Sequence, residues 1–198
     1  MNLTTLIKTK KAQVGIMGLG YVGLPLAIEF AKAGFNVTGF DISNEVVEKI
    51  NRGESYIIDI TSAELKKIVK SGKLKATADF SLINKMDTIN ICVPTPLRKS
   101  KDPDVSFIIS AVTEIQKYAR KGQLIILEST TYPGTTEEVV RPLIEETGLK
   151  VGEDFYLAFS PERVDPGNKK YNTKNTPKVV GGTTPKCCEI AQLFYSQA

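Results

Sequence analysis

The chain has 198 residues, a net charge of +4, three cysteines and no histidine. Without histidine there is no Ser-His-Asp or Cys-His pair and no His-ligated zinc, so acid–base chemistry falls to carboxylates, lysine, tyrosine, thiol or bound water. With 41% hydrophobic and 24% charged residues the chain is globular, not disordered, and long enough for one large cored domain or one plus part of another.

Residues 1–11 read as an N-terminal extension. The start, MNLTTLIKTKKAQ, lacks the apolar core of a secretory signal. Ala12–Met17 is a compact apolar strand, and Val22–Ala33 a helix ended by Gly34. Asn36–Asp41 is a second strand. Ser43 caps the next helix, which carries Val46, Val47 and Ile50 on one face. Thr61-Ser62-Ala63-Glu64 matches a capping box, with Leu65, Ile68 and Val69 as the buried stripe behind it. Lys73–Ala76 reads as a short strand. Asp87–Val93 is another strand, stopped by Pro94-Thr95-Pro96.

Asp102 and Pro103 form an Ncap–N1 pair for a helix with Val105, Ile108, Ile109, Val112 and Ile115 at helical spacing. Gln123–Glu128 is a strand, and a helix follows Pro133-Gly134 to about Glu146. Phe155–Phe159 and Lys178–Val180 are further strands, separated by a polar loop over Lys169–Pro177. Thr184-Pro185 opens a last helix with Ile190, Leu193 and Phe194, a pattern that the end of the chain interrupts. That interruption points to a longer protein, with residues 12–183 as one domain and 184–198 as the start of a connecting helix to a further, central domain.

The short basic clusters Lys8, Lys10, Lys11 and Arg98, Lys99, Lys101 read as solvated lysines and arginine, so no nucleic-acid partner is expected. No apolar run reaches bilayer length, and no membrane partner is expected. Cys187 and Cys188 are adjacent and Cys92 lies in an apolar run. Neither arrangement resembles a disulfide framework or a metal knuckle. A reduced, cytoplasmic protein without a metal is expected.

Strands alternating with helices imply an α/β fold, a doubly wound, mainly parallel sheet covered on both faces. Gly18-Leu19-Gly20-Tyr21-Val22-Gly23 is Gly-x-Gly-x-x-Gly, placed between a strand and a helix, with Asp41 at the tip of the next strand. Gly18 permits the tight turn, Gly20 lets a pyrophosphate approach, and Gly23 lets helix and strand pack. The helix N-terminus supplies N–H groups and a positive dipole end. Asp41 is placed for an adenosine ribose and would repel a 2′-phosphate, which favours NAD over NADP. Gly18, Gly20, Tyr21, Val22, Gly23 and Asp41 are therefore cofactor-binding candidates in a Rossmann-type domain.

Ligands collect at the carboxyl ends of strands in such sheets. Three polar segments fall there: Val93-Pro94-Thr95-Pro96, Glu128-Ser129-Thr130-Thr131 and Ser160 to Gly167. Their convergence beside the nucleotide turn points to a reaction site.

Together GLGYVGLPLA, CVPTPL, ESTTYPGTT, SPERVDPGN and PKVVGG, in this order, resemble the UDP-glucose/GDP-mannose dehydrogenase family, from about Val14 to the last residue. SPERVDPGN with NTPKVVGG is most similar to the branch acting on UDP-N-acetylglucosamine or UDP-N-acetylmannosamine, which serves polysaccharide biosynthesis. The resemblance implies NAD-dependent oxidation of a sugar 6-hydroxyl to a carboxylate in two steps, through a cysteine thioester that water hydrolyses. It implies that Thr130 holds the catalytic water and that Glu162 assists proton movement. It further implies that Pro94, Thr95, Thr130 and Asp165 border the cofactor, with Asp165 near the nicotinamide, and that Glu162 and Arg163 contact the UDP-sugar. The family's nucleophilic cysteine lies in a downstream glycine-rich segment that is not in these residues, so Cys92, Cys187 and Cys188 read as buried or half-buried structural positions. Turnover is expected of the longer enzyme, a homo-oligomer through its central domain, and NAD binding alone of this chain. Two other readings are a non-catalytic NAD-binding sensor module and the cofactor domain of a hydroxyacid dehydrogenase.

Overall fold

A computed structural model of the chain describes residues 1–99, 103–163 and 176–198. Seven strands form one sheet in the order β3-β2-β1-β4-β5-β6-β7. They are β1 (Gln13–Met17), β2 (Asn36–Phe40), β3 (Leu74–Thr77), β4 (Thr88–Ile91), β5 (Leu124–Leu127), β6 (Tyr156–Phe159) and β7 (Gly181–Gly182). All adjacent pairs are parallel except β6 and β7. The strand order reverses between β1 and β4, so a crevice opens above that pair.

Alternate residues of each strand feed two cores. In β5, Leu124 and Ile126 face one side while Ile125 and Leu127 face the other, and all four are fully buried. The first face packs against α1 (Leu3–Lys8), α2 (Gly23–Lys32), α3 (Asn44–Arg52), α4 (Ser62–Lys70) and α7 (Pro185–Tyr195). The second packs against α5 (Ser106–Tyr118) and α6 (Arg141–Glu145).

The sequence-derived elements recur with shifts of a residue or two, and the larger departures have physical causes. The first residues carry a helix, α1, whose Asn2 side chain accepts from the Thr5 N–H. Leu3 and Ile7 of α1 are buried in the same core as Ile190 and Phe194 of α7. Ser43 and Thr61 cap α3 and α4 as expected. The reciprocal arm of the capping box is replaced, because Glu64 lies 2.6 Å from the Lys32 ammonium across the α2–α4 contact.

Pro103 does not open α5. It pairs in an isolated antiparallel bridge with Leu97, and the Asp104 carboxylate accepts the Ser106 N–H at 3.0 Å. Asp102 lies outside the described residues. The helix after Gly134 begins as a π-helical turn over Thr135–Val140 before α6. The strand expected at Lys178–Val180 is displaced to Gly181–Gly182, where it pairs antiparallel with Phe159 and Ala158. The last helix runs over Pro185–Tyr195, with Ser196 following it. Thr184 caps its start as expected, accepting from the Cys187 N–H.

Among the described residues, no helix is long and apolar enough to cross a membrane, and no cluster of metal-ligating side chains occurs.

Candidate functional site

The glycine turn is held from both sides. Asp41 accepts the Leu19 N–H with one carboxylate oxygen and the Ser43 N–H with the other, each at 3.0 Å. The Tyr56 hydroxyl donates to the Leu19 carbonyl at 2.5 Å. Gly18 has φ +86°, where an L side chain is strained, and an added Cβ would lie 2.8 Å from the Cys92 carbonyl. A Cβ at Gly23 would lie 1.8 Å from the Gly18 carbonyl oxygen. A Cβ at Gly20, by contrast, meets no atom within 4 Å. The two outer glycines are therefore required by the protein's own backbone, and the middle one faces open space. Among the described residues, the N–H groups of Gly20, Tyr21 and Val22 make no hydrogen bond. A cradle of free donors at the start of α2 beside an empty approach fits a pyrophosphate.

That space is part of a cleft of about 700 Å³. Gly18, Gly20, Tyr21 and Val22, Asp41 and Ile42 after β2, Pro94 and Thr95 after β4, and Ser129 and Thr130 after β5 line it. Phe107 and Ala111 of α5 close the far side. Of the sequence-derived cofactor residues, Gly23 stands behind the wall as a packing position, and Asp165 lies outside the described residues. The Cys92 thiol borders the cleft, but it is almost fully buried. Burial first, then the charge of Glu128, pushes its pKa well above the usual thiol value, so it is a poor nucleophile. Cys187 is buried as well, and Cys188 is half-buried.

Glu162 and Arg163 are not part of that wall. They stand after β6, where the Glu162 N–H donates to the Glu128 carbonyl at 3.3 Å. The Arg163 N–H donates to Glu162 Oε1 at 2.6 Å, and the exposed Arg163 guanidinium reaches the Pro177 carbonyl at 3.4 Å.

Behind Glu162 lies a polar cluster to whose members motif reading assigned no role. Glu128 is fully buried at the end of β5. Its carboxylate accepts from Asn90 of β4 at 2.9 Å, from the Tyr195 hydroxyl of α7, and from the Lys178 ammonium at 2.5 Å. The same ammonium is 3.8 Å from Glu162 Oε2. Burial works against the Lys178 charge, but Glu128 and then Glu162 outweigh it and raise its pKa above the ordinary lysine value. Burial and the Glu128 charge hold the Tyr195 phenol well above its usual value. One signal for Glu128 was in the sequence: the strand QLIILE closes an apolar run with an ionisable group. Lys178 lies in the PKVVGG segment that carries the family resemblance but had no role assigned to it, and nothing local marked Tyr195.

A doubly wound sheet with a glycine turn, free helix N–H groups and a carboxylate at the second strand tip defines a dinucleotide-binding domain of Rossmann type. The chain belongs to the UDP-glucose/GDP-mannose dehydrogenase family, whose NAD binding domain matches residues 12–198. It is 40% identical over 184 residues to the UDP-N-acetyl-D-mannosamine dehydrogenase of Pyrococcus horikoshii, covering 92% of this chain and 44% of that protein. It is 38% identical over 189 residues to the UDP-N-acetyl-D-glucosamine 6-dehydrogenase of Pseudomonas aeruginosa, covering 95% and 44%. The solved NDP-N-acetyl-D-galactosaminuronic acid dehydrogenase of Methanosarcina mazei Go1 superposes with a TM-score of 0.87 at 36% identity, over 100% of this chain and 45% of that one. The chain thus spans less than half the length of these three relatives.

Proposed function

We propose that these residues are the cofactor half of a UDP-N-acetylhexosamine 6-dehydrogenase, which oxidises the sugar 6-hydroxyl to a carboxylate in two NAD-dependent steps. The observation that carries the reading is geometric. The glycine turn and Asp41 share one cleft with Thr95 and Thr130, and the loop bearing Glu162 leaves the neighbouring strand end. The similarity to enzymes named for UDP-N-acetyl sugars supports the substrate class.

In each of the two oxidations a bound NAD would accept one hydride, so two NAD molecules would be reduced per sugar. The α2 N-terminus binds the pyrophosphate through the Gly20, Tyr21 and Val22 N–H groups, and Asp41 accepts from the adenosine ribose. Pro94 and Thr95 border the dinucleotide along β4, and Asp165 takes the nicotinamide end. Thr130, exposed on the cleft side of β5, holds the hydrolytic water. Glu162, with its side chain 11% exposed, takes that water's proton as the water adds to a thioester carbonyl and a thiolate leaves. The thiol belongs to the remainder of the polypeptide, together with the central domain through which subunits assemble. Residues 12–183 form the cofactor domain, and residues from 184 onward, which pack on its core as α7, begin the connection to the central domain. Glu162 and Arg163 contact the UDP-sugar, in a cytoplasmic enzyme of polysaccharide biosynthesis.

The cofactor assignment is tested at Asp41. Calorimetric titration of Asp41→Ala with NAD is expected to show affinity weakened by roughly 1.5–3 kcal/mol, the range for a hydrogen bond to a charged group. Asp41→Asn, which keeps an acceptor for the Ser43 N–H, separates the lost charge from the lost loop contact. Unchanged NAD affinity in both variants would remove Asp41 from the ribose site.

A further inference from the structure

Lys178 carries no role in the reading above, yet its ammonium stands between two carboxylates, 2.5 Å from buried Glu128 and 3.8 Å from Glu162. We propose that Lys178 is a positioning residue for Glu162: fixed by Glu128, its ammonium sets where the Glu162 carboxylate stands at the end of β6. The proposal rests on the reading of Glu162 as the group that takes the proton from water.

The geometry is a short chain of held groups. Asn90 and Tyr195 each donate to Glu128 Oε1. Glu128 Oε2 faces Lys178 at 2.5 Å. Lys178 also lies 5.3 Å from the centre of the Tyr195 ring, on its face. With Glu128 fully buried and the Lys178 side chain only 17% exposed, the ammonium has little freedom to follow a moving partner.

Glu162 is then oriented at both oxygens. Oε1 accepts the Arg163 N–H at 2.6 Å, and Oε2 faces Lys178 at 3.8 Å. A separation of 3.8 Å is longer than a direct hydrogen bond, so the ammonium attracts Oε2 without capping it. An arrangement of this kind places a base without neutralising its chemistry. Through Lys178 and Glu128, the Glu162 carboxylate is linked to the Tyr195 hydroxyl of α7.

The test is a double-variant cycle in the intact enzyme, with UDP-N-acetylglucosamine and UDP-N-acetylmannosamine as substrates and NADH release as the readout. Lys178→Met is expected to lower kcat about tenfold while leaving the KM for NAD unchanged, and Lys178→Arg to return it to within about twofold. In a Glu162→Gln background, Lys178→Met is expected to change kcat by less than about twofold, because the group through which it acts is already gone. A purely structural lysine would lower kcat by the same factor in both backgrounds, and that result overturns the proposal. Full activity in Lys178→Met beside a slow Glu162→Gln also overturns it and leaves the role of Glu162 standing. Full activity in Glu162→Gln removes the role of Glu162 and the proposal with it. If Lys178→Met folds poorly, Lys178→Gln, which keeps a donor for Glu128 without the charge, is read in the same two backgrounds against the same expectations.

Discussion

Gly23→Ala is expected to destabilise the domain strongly, whereas Gly20→Val leaves it folded with weakened NAD binding. The two glycines stand three residues apart in one turn, yet they answer to different constraints. At Gly23 the added Cβ would fall 1.8 Å from the Gly18 carbonyl oxygen. The obstacle is backbone, fixed in turn by Gly18's own approach to the Cys92 carbonyl at 2.8 Å from an added Cβ. Relief requires α2 to move away from β1, opening the contact that buries Leu24, Ala27 and Ile28. Forced overpacking of this kind costs about 3 kcal/mol or more, a large part of a total stability of about 5–15 kcal/mol. A Cβ added at Gly20 meets no atom of the described residues beyond its chain neighbours within 4 Å, so the melting temperature is expected to stay within a few degrees of the parent. The valine side chain instead enters the cleft where phosphate must meet the N–H groups. Losing even one charge-assisted hydrogen bond there weakens NAD by at least about tenfold. Thermal melts without cofactor, paired with NAD calorimetry, read the two effects separately. A Gly23→Ala protein that melts like the parent, or a Gly20→Val protein that binds NAD like it, contradicts this division of labour.

Glu128→Ala is expected to be nearly as damaging, for an electrostatic reason. It strands the Lys178 ammonium, the Asn90 amide and the Tyr195 hydroxyl in a place from which water is largely excluded. Removing one member of a buried ion pair costs about 3–5 kcal/mol, mostly as the penalty on the charge left behind. Combining Glu128→Leu with Lys178→Met removes both charges and is expected to recover part of that loss, with Asn90 and Tyr195 still short of an acceptor. Denaturant titration of the single and double variants measures the difference. A single variant as stable as the parent would show that Glu128 is not the acceptor on which the cluster depends.

The fold was legible because its signals are local. Apolar runs such as Leu124–Leu127 have strand length, and the helix caps Ser43, Thr61 and Thr184 bond as their residue types require. The glycine spacing and Asp41 marked the nucleotide turn because each residue answers a backbone or charge requirement within one strand–turn–helix unit. What stayed hidden depends on distance along the chain. The burial of α1 is decided by α7, nearly two hundred residues away, and a six-residue helix has no periodicity long enough to declare itself. Pro103 reads as a helix start by type, but tertiary pairing with Leu97 claimed it first. The Glu128–Lys178–Glu162 alignment joins three separate segments, and a lysine before Val179 and Val180 reads as an ordinary strand edge until β7 is seen to start at Gly181.

The central claim is that this domain serves a double oxidation of a UDP-N-acetyl sugar with NAD. Incubation of the intact protein with a panel of UDP-sugars, following NADH against sugar consumed, tests it most directly. The account predicts two NADH per molecule of a UDP-N-acetylhexosamine, a uronate product, and preference for NAD over NADP set by Asp41. One NADH per sugar, or no NADH from any UDP-sugar while NAD still binds, would contradict it.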